Sequence, residues 1–315
     1  MYDHEIHSRQ LTAWLLGAMI PTVIQLTAGG SWLSLLLASV LCTLCVWFRW
    51  SFGKEPQGKW INLFWIGLMA LLLGTAAERS VSSWPTGGHP LASGVLVLLA
   101  AWSAWKGTDA AARVGCVLFW FVLLLYLLLL GIGLKEVNMT WIIPTKGDVD
   151  PMGCILLLTP AAAAIHLGNK RGVRSRLLIP GILCTVSAVI TAGILSPEIA
   201  SQEPNAFYEM SRTLSLFGQA RHFEAILSAS MTVGWFSVFS LYLTICATTF
   251  EKLKKGKGSW GILSATAVAL GILLCQLHIP TLPLLVLCAI FWVLIPVLTQ
   301  WVDVIKKVEK SENSA

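Results

Sequence analysis

The stretch VGCVLFWFVLLLYLLLLGIGL, residues 114–134, is an unbroken apolar run held between Arg113 and Lys135. Coiled as an α-helix, a segment of this length crosses the ~30 Å hydrocarbon core of a bilayer. A barrel strand is excluded, because its residues would alternate between apolar and polar. The stretch therefore predicts a transmembrane helix, which satisfies its backbone polar groups within itself.

Outward from this segment the pattern repeats. The chain of 315 residues is 56% hydrophobic and 12% charged, with a mean hydropathy of +0.74, whereas an ordinary soluble domain carries roughly 25% charged residues. A water-soluble enzyme is excluded. The apolar blocks predict ten spans, near 10–28, 32–49, 60–77, 90–106, 112–134, 152–168, 176–195, 224–250, 259–278 and 281–302. So many spans leave only short loops and tails, and residues 1–315 read as a single integral membrane domain, an all-α polytopic fold.

Sidedness follows from the 22 Lys and Arg residues. All but Arg79, Lys135, Lys146, Arg212 and Arg221 fall in the tails, in loops after even-numbered spans or at those span ends, which places both termini in the cytoplasm. The net charge of +6 is thus a consequence of topology and not a nucleic-acid footprint. Acidic Asp3 and Glu5 before the first apolar run, with no small-residue cleavage site after it, argue against a cleavable signal peptide. Between spans 7 and 8, Phe207, Met210, Leu214 and Phe217 recur at helical spacing beside Glu209 and Arg212, the pattern of an amphipathic helix in the membrane interface.

Side chains suited to catalysis are scarce. Glu78 and Arg79 close span 3, Arg113 opens span 5, and Arg221, His222 and Glu224 stand at the outer mouth of span 8. His166 is the one deep titrating group, and a histidine hydrogen-bonded near the headgroups accounts for it without function. There is no HExxH, no Ser-His-Asp set and no carboxylate ladder, so neither enzymatic activity nor a cofactor is expected. The eight cysteines lie in or at the ends of spans and read as small packing residues. Cys42 and Cys45 form a CxxC, but on a helix without a nearby histidine or second pair, which argues against a metal site. Asn138, Met139 and Thr140 make a formal glycosylation sequon, a pattern common by chance.

What is unusual is the presence of helix breakers within spans. Span 1 contains Gly17, Pro21 and Thr22, and span 6 contains Thr159, Pro160 and Ala161. A mid-span proline removes a backbone hydrogen bond and frees polar groups for a cavity. Split five and five, the spans put 1 and 6 in equivalent positions. Because five is odd, the second half (about 151–305) must run inverted relative to the first (about 10–134), as in many secondary transporters that bind substrate at mid-membrane between two broken helices. Half-helix N-termini there would offer amides to a ligand carboxylate, with Gly17, Pro21, Thr22, Thr159, Pro160 and Ala161 as the ligand-binding set. Ordinary kinks are the competing explanation, since Pro180 and Pro296 also lie within spans. Ser237, Ser240 and Thr244 of span 8 offer hydroxyls to a coupling Na⁺, although such groups more often bond their own backbone.

Specific strings carry a family resemblance. They are His7-Ser8-Arg9-Gln10-Leu11 before span 1; Ala28-Gly29-Gly30-Ser31-Trp32-Leu33 into span 2; the span 4–5 junction from Ala104 to Arg113, with Gly107, Asp109 and Arg113 in register; Trp141-Ile142-Ile143-Pro144 before span 6; and Arg212-Thr213-Leu214 followed by Arg221-His222-Phe223-Glu224 before span 8. In these strings and their order the chain resembles, over roughly residues 8–307, the B subunit of GerA-type nutrient germinant receptors. That is the spore germination permease family of the amino acid/polyamine/organocation transporter superfamily.

The resemblance implies a LeuT-like fold of ten helices in a 5+5 inverted repeat, residence in the spore inner membrane, and assembly with an A-type membrane subunit and a C-type lipoprotein. It also implies binding of a small nutrient such as an amino acid, which would shift the balance of two conformers and so trigger germination. The alternative function is an H⁺- or Na⁺-coupled amino acid permease.

Overall fold

The computed structural model describes residues 8–26, 32–33, 35–37, 40, 43–44, 47, 59–82, 89–142, 151–163, 167, 178–203, 205–214, 223–253, 258–295, 298 and 301. Among them run α1 (Ser8–Leu26), α2 (Lys59–Ser82), α3 (Pro90–Trp105), α4 (Thr108–Gly133), α5 (Pro151–Ala163), α6 (Leu178–Leu195), α7 (Pro197–Gln202), α8 (Ala206–Thr213), α9 (Glu224–Leu253), α10 (Ser259–Leu274) and α11 (Thr281–Ala289), the last continuing as a π-turn over Ile290–Leu294. Described residues include three helices, α2, α4 and α9, that are long and apolar enough to cross a membrane, and α3, α6, α10 and α11 are shorter apolar helices. Length and composition thus establish three clear spans there, where the sequence pattern predicts ten. Most of span 2 and residues 164–166 and 168 of span 6 lie outside the described residues, as do Cys42, Cys45, His166, Arg221 and His222.

The core is organised around α9, which packs against α1, α2, α3, α4 and α10. α1 is wedged between α4 and α9, and two glycines admit it. A Cβ on Gly115 of α4 would collide with the Trp14 indole, and a Cβ on Gly234 of α9 would collide with the Pro21 ring. Trp14 meets Gly115 and Gly17 meets Phe119, so α1 and α4 run parallel. Pro21 meets Gly234 while Ile24 and Gln25 lie beside Leu227 and Met231, so α1 and α9 run antiparallel. These directions match the odd–even alternation of spans 1, 5 and 8.

The junction from Ala104 to Arg113 is turn chemistry. Gly107 holds φ +107° between α3 and α4, a conformation that favours glycine. Asp109 sits in the first turn of α4, where a negative charge suits the helix dipole, and Arg113 meets it at 2.7 Å. Polar ties join other elements. The Ser80 and Ser93 hydroxyls are 2.6 Å apart between α2 and α3, and the Tyr126 hydroxyl donates to the Leu183 carbonyl at 3.1 Å and contacts the Ser187 hydroxyl, tying α4 to α6. The sequon residues also serve the fold. Asn138 Oδ1 accepts from the Thr140 amide at 3.1 Å, and the Asn138 amide donates to the Gly193 carbonyl at 2.8 Å.

The amphipathic segment before span 8 is helical over Ala206–Thr213 and extended at Leu214, with Phe217 outside the described residues, and α8 does not use its apolar face on lipid. Phe207, Met210 and Leu214 are buried against protein. Phe207 stacks on Tyr126 at 5.8 Å between ring centroids, and the Thr191 hydroxyl donates to Met210 Sδ at 3.5 Å. Periodicity reports an apolar face and does not say what covers it; here α4, α6 and α9 cover it.

Candidate functional site

The sequence-predicted residues lie on two helices that pack directly together, α1 and α5. Gly17, Pro21 and Thr22 are buried on α1, and Thr159 and Pro160 are buried on α5, which also carries Ala161. Thr22 is 1% exposed and Thr159 0%. Gly17 faces α4: a Cβ there would stand 3.1 Å from Phe119 Cβ. The Pro21 ring fills the notch at Gly234.

Neither helix is broken at its proline. α1 continues through Pro21, and α5 through Pro160. This corrects the expectation of broken helices 1 and 6, and with it the chemistry on offer. A helix that continues through proline lacks one N–H donor, so the carbonyl four residues earlier loses its partner. The freed groups are the acceptors Gly17 C=O and Leu156 C=O, not the amides expected to meet a carboxylate. Acceptors suit a ligand N–H, above all an ammonium.

The two prolines meet α9 at different heights. Pro21 abuts Gly234, whereas the helical turn before Pro160 meets Tyr242, whose hydroxyl donates to the Leu156 carbonyl at 3.5 Å. Eight residues of helix separate those contacts, about 12 Å along the axis. The Thr159 hydroxyl donates to the Ile155 carbonyl at 2.7 Å. Sequence reading missed Tyr242. Its signal was available: a tyrosine in mid-span must find a partner for its hydroxyl, and Pro160 leaves a carbonyl in need of one.

The span 8 hydroxyls behave mainly as structural groups. Ser240 Oγ donates to the Ser237 carbonyl at 3.1 Å and Thr244 Oγ1 to the Ser240 carbonyl at 2.7 Å. Ser237 Oγ is buried and finds no partner among the described residues. At the far end of α1 a cleft is lined by Gln25 of α1, Phe207 and Tyr208 of α8, and Leu227, Ser228 and Met231 of α9. Gln25 Nε2 donates to the Arg79 carbonyl at 3.0 Å there. Burial, and secondarily the nearby Glu224 carboxylate, raise the Tyr208 pKa above that of an ordinary phenol, so this hydroxyl stays neutral at physiological pH.

A core helix lined by hydroxyls, an apolar exterior and a packed proline-bearing pair describe an α-helical membrane protein, and the comparison with solved structures adds that its fold is that of a helical transporter. Among solved structures the chain is similar to Mhp1, a nucleobase-cation-symport-1 family transporter in a closed conformation with bromovinylhydantoin bound, at a TM-score of 0.53 and 12% identity, over 89% of this chain and 74% of that one. Likeness at that identity speaks for the fold. No protein-family model matches the chain, and no curated protein matches it.

Proposed function

We propose that this protein binds a small nutrient carrying an ammonium group, such as an amino acid, between α1 and α5. Binding would be read out as a shift between conformers, as expected of the B-type subunit of a spore germinant receptor. The observation that carries the reading is the direct packing of α1 on α5, each helix with an internal proline that frees a carbonyl, inside a transporter fold. The residues assigned to that site are the sequence-derived set Gly17, Pro21, Thr22, Thr159, Pro160 and Ala161. The germinant-receptor assignment rests on the ordered strings from His7 to Glu224. With it come ten spans in a 5+5 inverted repeat, cytoplasmic termini, the spore inner membrane, and partners of the A-type membrane and C-type lipoprotein kinds.

The second reading, an ion-coupled amino acid permease, is favoured by the likeness to a transporter. Two assays on the full chain separate the possibilities. Thermal shift against the twenty standard L-amino acids should find at least one ligand; silence across the panel would contradict the ligand class. Uptake of the labelled ligand into proteoliposomes should stay at background for a sensor and rise under an imposed ion gradient for a permease. A reporter fused after Lys310 should be cytoplasmic and one inserted near Ser201 external.

A further inference from the structure

Pro160 cannot supply the amide hydrogen that would close the helical bond to the Leu156 carbonyl. The donor at that carbonyl belongs to a different helix: it is the hydroxyl of Tyr242 on α9, at 3.5 Å. Tyr242 is fully buried, so bulk water does not compete for the carbonyl. The contact is long for an O–H···O bond, which is commonest near 2.7–2.8 Å. Thr159, buried beside Pro160, gives its own hydroxyl proton to the Ile155 carbonyl and so does not cap Leu156.

We infer that the Tyr242 hydroxyl is a resident substitute for a ligand N–H, capping the Leu156 carbonyl in the empty protein and giving it up when a ligand ammonium takes its place. The inference rests on the proposed site between α1 and α5, and it gives a residue outside that set control over affinity. Two features favour a displaceable cap over a fixed strut. The contact is long for an O–H···O bond, and the capped carbonyl sits one helical turn from Pro160, where the helix has no amide of its own to offer it. A ligand that displaces the cap must first break the Tyr242–Leu156 bond, so the wild-type tyrosine weakens binding.

Tyr242→Phe keeps the buried ring and removes only the hydroxyl, and two measurements on the full chain test the inference. The first needs no ligand. Pro160→Ala restores the missing amide, so Tyr242→Phe should lower the unfolding midpoint in the wild-type background and have little effect in the Pro160→Ala background. An equal drop in both backgrounds would overturn the capping role. The second uses whichever of the twenty L-amino acids binds wild type, with its desamino carboxylic acid as control. Tyr242→Phe should tighten the amino acid by about two- to tenfold, the worth of one hydrogen bond no longer broken on binding. It should leave the desamino acid unchanged. Weaker amino acid binding by the variant would show that the hydroxyl supports the ligand and would overturn displacement. If no amino acid binds either protein, the proposed function fails and displacement falls with it, while the proline-dependent midpoint still decides the cap.

Discussion

The two longest apolar helices, α4 and α9, have opposite fates. α4 is nearly pure Leu, Val and Phe through its middle, yet only 39% of its most apolar window is buried inside the protein. α9 is interrupted by Ser230, Gly234, Ser237, Ser240 and Thr244, yet 67% of its window is buried. In water the greasier helix would be the inner one. In a bilayer, lipid is as apolar as leucine, so burial is decided by which helix offers small residues for close approach and hydroxyls that need protein partners. α4 shows Val117, Trp120, Leu124 and Leu127 outward, whereas α9 buries Trp235, Phe239 and Tyr242.

The sharpest way to break this contrast is to truncate one large ring on each helix. Trp235 is fully buried and stacks on Phe239 at 6.0 Å, so Trp235→Ala should cost about 3–5 kcal/mol of stability in mixed micelles. Trp120 is 63% exposed, and Trp120→Ala should change stability by under about 0.5 kcal/mol. Equal costs would mean that α4 is covered by protein.

A charge asks the next question. Leu124 is also 63% exposed in the isolated chain. If it faces hydrocarbon, Leu124→Arg should impair membrane insertion of α4 by about 2.5–3.5 kcal/mol. Unimpaired insertion would place that face against water or a pore. Smaller effects belong to the polar ties. Tyr126→Phe removes the bonds to Leu183 and Ser187 and should destabilise by about 1 kcal/mol, since the ring and its stack on Phe207 remain. Asp109→Asn should matter least, below about 1 kcal/mol and fading with added salt, because its Arg113 partner is mostly exposed.

The apolar blocks and the odd–even directions of α1, α4 and α9 were legible because hydropathy and alternation are one-dimensional signals. The turn at Gly107 was legible as a string, although its physical reason, a positive φ, appears only in three dimensions. What covers α8 was not legible, since an apolar stripe looks the same against lipid and against Tyr126. The site was half legible. Proline at 21 and 160 marked the helices, but both continue through the proline, with Gly234 making room for the Pro21 ring and Tyr242 reaching the Leu156 carbonyl, contacts that a one-dimensional pattern does not carry. That outcome changes the predicted ligand group from carboxylate to ammonium.

The central claim is that one ligand sits between α1 and α5. Thermal-shift titration of the amino acid found in the panel, on Thr22→Ala, Thr159→Ala and the outward-facing control Leu127→Ala, tests this directly. The account predicts that each threonine variant weakens binding by a few-fold to about tenfold while the control leaves it unchanged. Wild-type affinity in both threonine variants would contradict it.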